Sequence, residues 1–134
     1  MKLQENVKIL VVDDSEFDRR MIVSAMRSVC DNLTCVELSG GKSAVETMRQ
    51  EKPWLTILDI RMPGISGWDV LEHIRSEEAL DDLKVVMMSG TSSQLDVEKA
   101  TSNGAHGFYT KPNTRLDYGI VASDLKASFL DAAA

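Results

Sequence analysis

Three carboxylates, a hydroxyl and an ammonium occupy matching places in this chain, each at the end of a short apolar run. Asp13 and Asp14 follow VKILVV (7–12), and Asp59 follows WLTIL (54–58). Ser89, then Gly90 and Thr91, follow KVVMM (84–88); Lys111, then Pro112, come just after AHGFY (105–109). Three acids brought together repel one another, and at least one pKa rises unless a cation intervenes. Mg²⁺ suits such a place, because it is hard and is held by one or two carboxylates with waters and a phosphate. A carboxylate also accepts a phosphoryl group as an aspartyl phosphate. Such transfer depends on positioning and on neutralising charge at the phosphoryl oxygens. The cation does this from one side and Lys111 from the other, Ser89 offers a hydrogen bond, and Gly90 leaves the approach open.

Singly, each residue has an ordinary reading. An Asp at a strand–helix junction caps the helix, although that does not account for both Asp13 and Asp14. Asp59 ahead of Pro63 and Gly64, and Ser89 beside Gly90, fit turns. A lysine such as Lys111 is usually a solvated surface residue. The joint pattern reverses these readings, provided that one sheet edge gathers all five.

The apolar runs must therefore be strands of one sheet. Besides those named there is LTCVEL (33–38). Three of the runs are β-branched and nearly continuous, as in strands buried on both faces of a parallel sheet. Amphipathic stretches alternate with them. Phe17, Met21, Ile22, Ala25, Met26 and Val29 recur at helical spacing, with Ser15 as cap and Asp18 completing a capping-box-like signal. Further helices are expected over 41–51 (Ala44, Val45, Met48), from Ser66 (Val70, Leu71, Ile74), over 93–102, and from 115 (Leu116, Ile120, Leu125, Phe129). This rhythm predicts an α/β fold: a five-stranded parallel sheet with right-handed crossovers and helices on both faces.

Length and composition set bounds. A chain of 134 residues suits a single domain over 1–134. With 43% hydrophobic and 27% charged residues it reads as an ordinary globular protein. No apolar run approaches the roughly 18 residues of a membrane span, and MKLQENVKIL lacks the pattern of a signal peptide. The 15 Lys and Arg are scattered among 21 acids, for a net charge of −6, which argues against nucleic-acid and acidic-membrane partners. Two cysteines, Cys30 and Cys35, make no disulfide framework and point to a reduced, cytoplasmic chain.

The segments ILVVDDSEFDRR, LDIRMPGISGWDVL, VVMMSGTSS and NGAHGFYTKP resemble a receiver domain of the bacterial response-regulator family, from Val7 to about Leu130. The resemblance implies a doubly wound, flavodoxin-like sheet of order 2-1-3-4-5. It implies Asp59 as phosphoryl acceptor, Asp14 as direct Mg²⁺ ligand and Asp13 as an acid reaching the metal through water. Arg61 would lend its backbone carbonyl to the metal. The side chains of Arg61 and Thr91 fall where the family modulates phosphate lifetime. Ser89 and Phe108 match the switch pair, and Lys111 the phosphate-contacting lysine, with a cis Lys111–Pro112 bond. Tyr109 points to the opposite face from Phe108 by strand alternation. Asn113, where many members carry an apolar residue, and Gly119 in the last helix depart from the pattern and bear on the output face.

The resemblance also implies a phosphohistidine donor, on a sensor histidine kinase or a histidine phosphotransfer protein, and a downstream protein effector. The domain would be a signalling module supplying its own transfer and slow hydrolysis chemistry rather than a metabolic enzyme. Phosphorylation would draw in Ser89, turn Phe108 inward and alter the surface around the fourth helix, fifth strand and fifth helix, acting as far as a partner distinguishes the two states. Three rivals remain. A flavodoxin-like electron carrier needs a Ser/Thr/Gly phosphate cradle where this chain has Asp13–Asp14. A docking module that is never phosphorylated leaves the acid set without a purpose. A phosphatase with a nucleophilic Asp needs a second acid where Arg61 stands.

Overall fold

The computed structural model describes residues 6–91 and 93–131. Residues 1–5, which open the MKLQENVKIL segment, Ser92 of VVMMSGTSS, and 132–134 lie outside the described residues. The strands are β1 (Val7–Val12), β2 (Leu33–Leu38), β3 (Leu55–Asp59), β4 (Lys84–Ser89) and β5 (Gly107–Thr110). They alternate with α1 (Glu16–Val29), α2 (Ala44–Glu51), α3 (Gly67–Arg75), α4 (Gln94–Ser102) and α5 (Arg115–Leu125). All pairings are parallel and the order is β2-β1-β3-β4-β5, as expected.

The central strands divide their side chains between two cores by simple alternation. Leu10, Val12, Leu58, Val85 and Met87 join Met48 of α2, Leu71 and Ile74 of α3, and Ala100 of α4 on one face. Ile9, Val11, Leu55, Ile57, Val86 and Met88 join Ile22 and Met26 of α1 and Ala122 and Leu125 of α5 on the other. Every residue of β3 is buried, which explains its unbroken apolar sequence. One exception is Thr56, whose hydroxyl oxygen is buried and finds no partner among the described residues.

Some boundaries and faces differ from the sequence reading. β3 and β4 include Asp59 and Ser89 as their last residues, so both are held by sheet pairing rather than by loops. The second helix starts at Ala44 and not at 41, because a turn closed by Ala44 N–H to Gly41 O (3.1 Å) precedes it. Phe17, which the spacing puts on the apolar face of α1, is 69% exposed; the buried stripe is Ile22, Val23, Ala25 and Met26.

The largest correction concerns α5. The sequence pattern puts Leu116 and Ile120 inside, but they are 76% and 60% exposed, while Tyr118, Ala122 and Leu125 face the core. The stripe 118/122/125 has equally good helical spacing. It sets an aromatic and a small residue toward α1, whose Met26 and Ala25 lie in the same core. Gly119 meets no atom within 4 Å of where a Cβ would stand, so no packing requires it.

Candidate functional site

The carboxyl ends of β1, β3, β4 and β5 converge as the sequence suggests. Asp13 is fixed by its backbone first. Its N–H donates to Leu38 O (3.0 Å), and its carbonyl accepts from Arg19 Nη1 (2.7 Å). Arg19 is steadied by Glu37 at 3.4 Å. Asp59 ends β3 opposite Met88, and the next N–H, of Ile60, donates to Met88 O (3.1 Å). Behind it stands Gly67, at the start of α3. A Cβ there would lie 2.2 Å from Asp59 O and 2.8 Å from Ile60 Cα. The α3 N-terminus can therefore close against the strand end only with glycine at this position. The adjacent capping box, Ser66 with Asp69, holds that terminus in place.

Oxygens of Asp13, Asp14 and Asp59 all lie within 4.8 Å of one another; Asp13 and Asp59 are buried and Asp14 is exposed. Lys111 closes the group. Its backbone N–H donates to Ser89 O (2.7 Å), tying the end of β5 to β4. Its Nζ reaches Asp13 Oδ2 at 2.8 Å and Asp59 Oδ1 at 3.3 Å. Ser89 is buried, and its Oγ accepts from Thr91 N–H at 3.3 Å. Arg61 and Thr91 are exposed on the loops that follow β3 and β4. Phe108, half-buried, packs on the core of Leu58 and Met87, while Tyr109 packs on the opposite core and donates its hydroxyl to Asp124. No cis peptide bond occurs among the described residues, so Lys111–Pro112 is trans, contrary to expectation. Trans is favoured before proline by about 0.5–1 kcal/mol, and in this form Lys111 already makes its contacts to β4 and the acids.

The electrostatics follow from burial. Burial, then the neighbouring charge of Asp13, pushes the Asp59 carboxyl up to about 7 against the opposing pull of Lys111. Burial disfavours the charge on Lys111, but hydrogen bonds to Asp13 and Asp18 and the charges of Asp13 and Asp59 outweigh it and raise its pKa. Three carboxylate side chains this close offer oxygen donors to a hard divalent cation, whose charge would relieve their mutual repulsion.

One member of the site escapes the sequence reading. Asp18 Oδ2 accepts from Lys111 Nζ at 2.8 Å. The sequence pattern gives Asp18 a capping role, which it fulfils only in part: Ser15 Oγ accepts Asp18 N–H, but Ser15 N–H goes to Asp13 Oδ1 (2.9 Å) instead of to Asp18. The available signal is only its place in the first turn of α1, close in sequence to the acidic pair.

The profile of the response regulator receiver domain matches residues 9–118. Chemotaxis protein CheY-3 of Vibrio cholerae is 32% identical over 112 residues, spanning 84% of this chain and 85% of that one. The response regulator domain of Thermotoga maritima CheB is 30% identical, with a TM-score of 0.76 over 92% of both chains. The phosphorylated cyanobacterial phytochrome response regulator RcpA shares the fold, with a TM-score of 0.87 at 24% identity over 97% of this chain and 98% of that one. This chain belongs to the response-regulator receiver family, the phosphorylatable switch domains of two-component signalling.

Proposed function

We propose that Asp59 is the phosphoryl acceptor of a single receiver domain over residues 1–134, and that its phosphorylation switches a protein-binding surface. The observation that carries this is the placement of Lys111 Nζ between Asp13 (2.8 Å) and Asp59 (3.3 Å) beside three mutually close carboxylates. Asp13, Asp14, Asp59 and the Arg61 carbonyl would hold Mg²⁺, which when bound neutralises charge on the phosphoryl oxygens. An Asp59 Oδ forms the new O–P bond as the N–P bond to a donor phosphohistidine breaks, and the imidazole leaves with a proton from solvent. In slow hydrolysis a water oxygen attacks phosphorus, inorganic phosphate departs and the carboxylate returns. Lys111 pairs with a phosphoryl oxygen, Ser89 donates its O–H to another, and Arg61 and Thr91 flank the route of that water and modulate its attack.

The output follows Ser89 and Phe108, which lie on β4 and the edge strand β5. Leu95 of α4 and Leu116 and Ile120 of α5 are exposed to either side of that edge and suit a protein partner. The phosphodonor is a sensor histidine kinase or a histidine phosphotransfer protein, and the domain is a signalling module that carries out its own phosphoryl chemistry. Cys30 and Cys35 are free thiols, which supports a reducing, cytoplasmic setting. No helix among the described residues is long and apolar enough to cross a membrane. Incubation with a phosphorylated histidine phosphotransfer protein, followed by borohydride trapping and peptide mapping, tests the assignment. Modification at Asp59 supports it; modification elsewhere, or none, overturns it.

A further inference from the structure

Lys111 carries three N–H donors on its ammonium, and their distribution in the structure is uneven. Nζ lies 2.8 Å from Asp13 and 2.8 Å from Asp18, but 3.3 Å from Asp59. Asp18 comes from the first turn of α1, 93 positions away in sequence, and its carboxylate accepts from this lysine while Ser15 N–H donates to Asp13. The pair is largely shielded from solvent, with 14% and 26% of the two side chains exposed, so it is screened less than a surface ion pair. Three carboxylates thus surround one ammonium: Asp13, Asp18 and Asp59. Asp18 is outside the close group of three metal-facing oxygens and has Lys111 as its partner.

We propose that Asp18 is a positioning residue that competes with the phosphoryl group for Lys111 and so weakens the phosphorylated state. The proposal rests on Asp59 being the acceptor. A phosphoryl group on Asp59 brings three oxygens into reach of Nζ, and Lys111 must withdraw a donor from Asp18 to meet them. The Asp18 charge also adds to the negative field that an incoming phosphoryl anion must enter. The duty of Asp18 is therefore to hold Lys111 while Asp59 is bare and to give it up on phosphorylation. This sets how far donor phosphate must accumulate before the domain switches.

The test uses beryllium trifluoride, a phosphoryl stand-in, with saturating Mg²⁺, and reads the dissociation constant by ¹⁹F NMR on wild type, Asp18→Asn and Asp18→Glu. Asp18→Asn keeps the shape and removes the charge, and is expected to bind about fivefold tighter, the scale of one partly screened ion pair. Asp18→Glu, which restores the charge, returns the constant toward wild type, a reversal that a merely structural role does not produce. Without any anion, trace acylation followed by peptide mapping is expected to label Lys111 several-fold faster in Asp18→Asn, with Lys42 as internal control. Asp18→Ala serves as a second variant with the same expected direction. Unchanged or weaker anion binding in both Asp18→Asn and Asp18→Ala overturns the proposal. A wild type that binds no beryllium trifluoride overturns instead the assignment of Asp59 as acceptor.

Discussion

Replacing Asp59 by asparagine should stabilise the metal-free domain, and should do so increasingly as pH rises. Asp59 ionises near 3.8 when solvated and near 7 in the fold, because burial and then Asp13 oppose its charge. A carboxyl whose pKa is raised on folding favours the fold fully below its unfolded value, and the benefit is lost as pH climbs through the folded value. Between pH 5 and 8 that loss is on the order of 2–3 kcal/mol, from 1.36 kcal/mol per pKa unit. The asparagine side chain of Asp59→Asn does not titrate, and Lys111 keeps Asp13 and Asp18 as partners at 2.8 Å. The assay is thermal unfolding of both proteins in chelator across pH 5 to 8. The gap by which wild type trails the variant should widen by roughly 5–10 °C between pH 5 and pH 8. Mg²⁺ added at pH 8 should stabilise wild type more than the variant. Parallel pH profiles would refute the reasoning.

Packing dictates three further outcomes. Gly67→Ala drives a Cβ to 2.2 Å from Asp59 O; it should destabilise by about 2 kcal/mol or more in denaturant titration and slow acyl-phosphate-driven labelling of Asp59. Thr56→Val removes a buried hydroxyl oxygen that has no partner among the described residues and should stabilise by about 1 kcal/mol. In α5, Leu116→Ser with Ile120→Ser should change stability by no more than about 0.5 kcal/mol per site, whereas Tyr118→Ala should cost about 3 kcal/mol, as read by urea midpoints.

The site is legible in the sequence because its parts are local signals. The strands are continuous apolar runs, and their parallel alternation with helices fixes which ends meet, so Asp13, Asp14, Asp59, Ser89 and Lys111 can be placed on one edge from the sequence. What fails is orientation within helices. In α5 two apolar stripes that share Leu125 compete; Leu125 is buried as expected, and packing against α1 rather than local hydrophobicity selects Tyr118 and Ala122 over Leu116 and Ile120. Phe17 obeys the same rule in reverse, since apolar spacing does not reveal where a helix overhangs its core. Asp18 stays hidden because a residue at the third position of a helix after a serine carries a sufficient local explanation. Its long-range partner emerges only when β5 delivers Lys111. The Lys111–Pro112 isomer is carried over from the resemblance, and no local residue type determines it.

The most direct measurement of the central claim is intact mass after incubation with acetyl phosphate, with and without Mg²⁺, on wild type and Asp59→Asn. The account predicts one phosphoryl adduct in wild type that requires Mg²⁺ and is missing from the variant. An adduct that survives in Asp59→Asn, or no adduct in wild type with acetyl phosphate or with phosphohistidine donors, would contradict it.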